Sequence, residues 1–209
     1  MRSGRRKLSH KVHLVYGLVV IIAVGIAFFI LHNLKASNAS QLSDSSATPV
    51  IDSLHHIPVY YNGDVDHVAG RSVARNGYNY GLKWQCVEFV KRYYADHLGH
   101  YMPDADGNAK DLFDKRLPDA SFNEARALVQ YANPSLKKPQ PDDIIVFDGH
   151  LGNRYGHVAI ISQVTETSIE IIQQNAGPDT PTREWLSLEK VDNRWEVDHK
   201  HVLGWLRVE

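Results

Sequence analysis

An α+β domain with an antiparallel sheet, carried behind a single membrane-spanning helix, is the fold class that this 209-residue sequence predicts. Three observations lead there. Leu14 to Leu31 runs apolar without one charged side chain. Gln85 to Leu98 carries Val87, Val90, Tyr94 and Leu98 at the spacing of one buried helical face. From Ile144 onward, short β-branched runs replace that spacing, and helices followed by strands are the pattern of an α+β domain.

The elements follow in order. Residues 1–11 form a basic segment with Arg2, Arg5, Arg6, Lys7 and Lys11. Residues 12–34 read as a signal-anchor helix, because the apolar run would span roughly 27 Å at 1.5 Å per residue. Only Lys35 follows closely, so the positive-inside bias predicts a cytoplasmic N-terminus and a periplasmic or extracellular domain beyond it. A cleaved secretory signal is the alternative, with Ser37-Asn38-Ala39 as the cleavage pattern, but the apolar run is longer than a usual signal core. Residues 35–54 are polar and suited to a flexible linker, which leaves 55–209 for the folded domain.

Within the domain, Gln85 to Leu98 is the first helix, and Asn108 to Leu117 a weaker second one with Asn108 as N-cap and Pro118 as its stop. The breaker-rich stretch Pro134 to Pro141 precedes strands at Ile144 to Phe147, His157 to Val164, Ile169 to Gln173 and Val202 to Val208.

Charge excludes one class of function: 23 Lys and Arg balance 24 Asp and Glu, so the chain has no bulk field for nucleic acid. One cysteine, Cys86, excludes a disulfide framework and Cys-rich zinc motifs. In the first turn of the predicted helix its thiolate would be stabilised by helix N-terminal amides, which could also hold an oxyanion; a lone buried cysteine is otherwise a small apolar filler. Among 12 histidines, His157 opens the apolar strand run Val158-Ala159-Ile160-Ile161 and would be held rigidly at its end, whereas His150 lies in a glycine-flanked loop. Alternation along the next strand puts Ile169, Ile171 and Gln173 on one face, making Gln173 the best placed residue to orient His157, with Glu170 and Asn175 in reserve. Trp84 and Trp205 read as packing residues.

YGLKWQCVEFVKRYY around Cys86, PDDIIVF at Pro141 to Phe147, GHVAIISQV from Gly156 and IIQQN ending at Asn175 together resemble the CHAP family of cysteine- and histidine-dependent amidohydrolases and peptidases. Within it they resemble most the amidase domain of the glutathionylspermidine synthetase/amidases. TREW at Thr182 and VLGWL at Val202 extend the similarity over nearly all of 55–209. The resemblance implies a papain-like fold with the nucleophile helix packed on the sheet, Cys86 as nucleophile and His157 as general base and acid. The sequence departs from the pattern at Gln173, where the amidase relatives are expected to carry glutamate, and at Lys91, where they carry arginine, which alone makes a planar bidentate contact.

The reaction implied is thiolate attack on an amide, departure of the amine, and hydrolysis of a thioester. Gln85 is a candidate donor near the oxyanion; Gln85, Lys91 and Asn175 are the candidate substrate-binding residues. No cofactor and no metal is required. The expected partners are a peptide-like amide, either a peptidoglycan peptide or a glutathione-polyamine conjugate, and the membrane through the N-terminal helix. Two alternatives belong to other classes: a catalytically impaired binding module at the cell envelope, and a metal-binding domain using His55 and His56, or His199 and His201 with Asp198.

Overall fold

Alternation of apolar side chains governs the architecture far more widely than helical spacing does. In the computed structural model, which describes residues 25–27, 48–103 and 107–209, Thr48–Glu209 form one unit. It opens with two hairpins, β1 (Val50–Leu54) with β2 (Ile57–Tyr60) and β3 (Arg71–Val73) with β4 (Asn79–Leu82). Helix α1 (Cys86–His97) follows, then a 3-10 turn at Ala109–Leu112. The remainder is strand: β5 (Ser121–Asn123), β6 (Leu128–Ala132), β7 (Ile144–Phe147), β8 (His157–Val164), β9 (Ser168–Ile172), β10 (Arg183–Val191), β11 (Arg194–Val197) and β12 (Val202–Arg207). These eight make one antiparallel sheet in the order β11-β10-β9-β8-β7-β12-β6-β5.

Three expectations are corrected here. The predicted class, papain-like α+β behind one transmembrane helix, gives way to a β-dominated domain: among the described residues twelve strands accompany one complete α-helix and one 3-10 turn. The physical reason lies in the first half of the domain. Its strands are three to five residues long, too short to show a period in sequence, and the predicted helix at 108–117 stops after one turn. There Asn108 and Asp111 close a capping box, Phe113 is extended, and Asp114 folds back on the Arg116 backbone and guanidinium. As for the second expectation, no helix among the described residues is long and apolar enough to cross a membrane. The predicted span at 12–34 lies outside the described residues except for 25–27, which are helical. The folded unit also starts earlier than expected, at Thr48, so that residues 50–54, assigned by sequence to the linker, form β1.

Each face of the sheet buries its own set. Ile144, Val146, Val158, Ile160, Ile172 and Leu206 meet Phe89, Val90, Tyr93 and Tyr94 of α1. Ile145, Phe147, Ala159, Ile161, Ile171 and Trp205 lie in the second cluster. Leu186, Leu188 and Val197 join that cluster from β10 and β11, and paired backbone bonds between Ser135 and Trp195 tie β11 to the segment after β6, so the sheet curls toward closure. A period of two with both parities apolar is the signature of strands covered on both faces. Gly204 in β12 has φ +152°, and a Cβ there would lie 1.9 Å from the Tyr131 carbonyl oxygen, so only glycine lets β12 approach β6.

Candidate active site

The turn from β4 into α1 sets the position of the thiol. The Gln85 N–H donates to the Leu82 carbonyl at 2.9 Å, and Gln85 is the N-cap residue with extended backbone. Its side chain does not cap the helix. Instead its Nε2 donates to the carbonyls of Val65 (3.2 Å) and His67 (2.9 Å), and its Oε1 accepts from Asn175 Nδ2 at 2.8 Å. Both side-chain protons of Gln85 are thus spent on the loop before β3, and the donors left at the helix start are backbone amides. Cys86 is the first helical residue and is buried.

The backbone amides of Val158, Val87 and Cys86 itself act on the sulfur and lower its pKa. Val158 follows His157 directly in β8. Burial pushes the thiol up, and the three amide contacts only partly offset it. The helix start is therefore an opposing influence here, not the winning one.

His157 presents Nε2 to Gln173 Oε1 at 3.0 Å. Gln173 Nε2 donates in turn to the Pro181 carbonyl at 3.1 Å, which fixes the amide with its oxygen toward the ring. An oxygen can only accept, so Nε2 carries the hydrogen and Nδ1 keeps the free lone pair. Burial lowers the His157 pKa to about 4, against the opposite pull of the Gln173 bond. The resting pair is consequently neutral thiol and neutral imidazole. Among the described residues no hydrogen bond joins the sulfur to the ring; catalytic contacts of this kind often tighten only around substrate.

A buried polar network beneath the thiol was not singled out from the sequence. Gln174 Nε2 donates to the Gln85 carbonyl (3.1 Å) and to Glu88 Oε2 (3.0 Å), while its Oε1 accepts the Tyr60 N–H at 2.8 Å. Glu88 is fully buried and paired with Arg92 Nε at 2.7 Å. The segment after β9 that carries Gln173 therefore also grips α1 and β2. Two signals were legible: Glu88 and Arg92 stand at i and i+4, and alternation puts Gln174 on the face with Ile172, which packs toward α1.

The other candidates fall elsewhere. Lys91 is buried, its Nζ donating to the Asn79 carbonyl at 2.5 Å above the Tyr78 ring. Asn175 (φ +58°) fastens Gln85 and the Val65 carbonyl. Glu170 pairs with Arg183 at 2.8 Å and accepts from Ser162. His150 is exposed and stacks on His201 at 4.7 Å. Trp205 is wholly buried, whereas Trp84 stacks against Tyr60 and donates to Thr48. Beside Gln173 lies a cavity lined by Tyr60, Tyr61, Asn62, Asn175 and Pro181, the obvious space for one side of a substrate.

Residues 76–175, which include the thiol, the imidazole and the glutamine, match the sequence model of the CHAP domain. This chain carries a CHAP domain. Trypanothione synthetase of Crithidia fasciculata is 30% identical over 120 residues, 57% of this chain and 18% of that protein. The bifunctional glutathionylspermidine synthetase/amidase of Escherichia coli (strain K12) is 30% identical over 137 residues, 60% of this chain and 22% of that protein. The chain thus spans about a fifth of the length of these curated relatives. Among solved structures, that of Ly7917 covers 66% of this chain and 56% of its own at 21% identity and a TM-score of 0.38. The CHAP domain and the amidase relatives place the chain with the cysteine-type amidohydrolases.

Proposed function

We propose that the chain hydrolyses a peptide-like amide through a thioester on Cys86, with His157 as general base and acid and Gln173 as the residue that orients it. The observation that carries the reading is the chain of contacts from the Pro181 carbonyl through Gln173 to His157 Nε2, which leaves Nδ1 unprotonated. In the reaction Nδ1 takes the thiol proton as sulfur attacks the carbonyl, and the first-turn amides of α1 offer hydrogen bonds to the oxyanion. His157 then returns the proton to the departing amine, and a water deprotonated by the same nitrogen opens the thioester. The substrate classes that suit this chemistry are the glutathione-polyamine amide, named in the E. coli relative, and the peptide of peptidoglycan.

The test is mass spectrometry of products after incubation with glutathionylspermidine and, separately, with muropeptides. Cys86→Ala and His157→Ala are expected to abolish turnover while circular dichroism stays unchanged; turnover in either purified variant would overturn the assignment. A second reading, a CHAP binding module without turnover, draws on the raised thiol and the uncharged orienting residue. It predicts that both substrates bind and emerge intact.

A further inference from the structure

At the far end of α1 from the thiol, His55, His97 and Asp142 bring one ligand atom each to within 4.8 Å of one another. Cys86 and His97 are eleven residues apart, so this cluster stands about 16 Å along the helix from the nucleophile. The three residues come from different elements: the tight turn between β1 and β2, the last residue of α1, and the turn entering β7. The imidazoles lie parallel, 6° apart in plane and 4.3 Å between centroids, and His55 Nε2 is 3.8 Å from Asp142 Oδ1.

The carboxylate is held in place before any ion arrives. Tyr93 donates its hydroxyl to Asp142 Oδ1 at 2.5 Å, the Asp142 N–H donates to the Ile161 carbonyl at 2.9 Å, and the Asp142 carbonyl accepts from Tyr94 at 2.7 Å. Tyr93 thus fixes the carboxylate through Oδ1, the same oxygen that lies 3.8 Å from His55 Nε2, the usual outer support of a ligating group. Both His55 (φ +46°) and Asp142 (φ +74°) occupy the left-handed backbone region, uncommon outside glycine, so each is directed by its own turn. The two histidines are exposed, and closing the spacing to the roughly 3.3 Å of ligands around a tetrahedral ion falls to rotation of their side chains.

We propose that His55, His97 and Asp142 form a site for a divalent transition metal of the zinc class. Two imidazoles and one carboxylate suit Zn²⁺ or a neighbouring first-row ion far better than Ca²⁺ or Mg²⁺, which take oxygen ligands. Three protein ligands leave a position for water. The ion joins the β1–β2 hairpin to α1 and to the entry of β7.

Calorimetric titration of the full chain with Zn²⁺ at pH 7.5, paired with thermal melts, tests this. One ion per chain is expected, weakened about tenfold or more by His55→Ala and by His97→Ala, and about tenfold by Tyr93→Phe through the freed carboxylate. Zn²⁺ should raise the melting temperature of the parent chain and not that of the His55→Ala/His97→Ala double variant. His199→Ala/His201→Ala and Cys86→Ala should bind as the parent does. Absence of saturable binding overturns the site, as does binding that survives loss of both His55 and His97 or that disappears with His199 and His201.

Discussion

Gln173 is where this domain departs most from a charged catalytic array. Its oxygen accepts from His157 but brings no negative charge, so burial outweighs that bond and holds the ring's pKa at about 4. Gln173→Glu would place a carboxylate against Nε2 and favour the imidazolium. The pKa should rise, and the acidic limb of the kcat/KM profile should move from near pH 4 toward neutrality; an unchanged limb would assign the orienting role to another residue. The same substitution should raise iodoacetamide reactivity at pH 6, since an imidazolium beside the sulfur stabilises thiolate. The positions of Cys86 at a helix start and His157 at a strand start, and the pairing of His157 with Gln173, were legible in the sequence, because each residue sits at a recognisable boundary. The fate of Gln85 was not legible. Its side chain is claimed by the carbonyls of Val65 and His67, partners about twenty residues away in a loop without periodic pattern.

Helix α1 is held from below by charge and from its flank by apolar packing. Glu88 and Arg92 are buried together, and removing one partner strands the other in a medium of low polarity. Arg92→Met is expected to cost about 3–5 kcal/mol in urea denaturation, whereas Glu88→Gln with Arg92→Met together should cost less than the sum of the two single changes. Phe89→Ala, which empties the contact between helix and sheet, should cost about 3–5 kcal/mol by cavity formation. The helix itself was readable because twelve residues suffice to display its period. The hairpins β1–β2 and β3–β4 were not: a strand of three residues alternates only once, and pairing, not local preference, makes it a strand.

Across the whole molecule, the neutral His157 ties stability to acidity. The native ring releases its proton down to about pH 4, while the unfolded ring binds one below about 6.5, so between these values the unfolded chain holds more protons and stability falls as pH falls. In His157→Asn the urea midpoint should decline less steeply from pH 7 to pH 5 than in the parent. The order of the sheet was invisible in the sequence for a related reason of scale: β12, the last strand of the unit, inserts between β7 and β6, and no local pattern announces a neighbour about seventy residues earlier. That insertion constrains how the domain is made. While residues 202–207 are still inside the ribosome, β7 and β6 face each other across an unfilled slot with both hydrogen-bonding edges bare, so the core closes only once these residues have emerged. A chain ending at residue 199 should accordingly be captured by holdase chaperones or aggregate, and a synthetic peptide of residues 200–209 supplied in trans should restore its solubility by filling the slot.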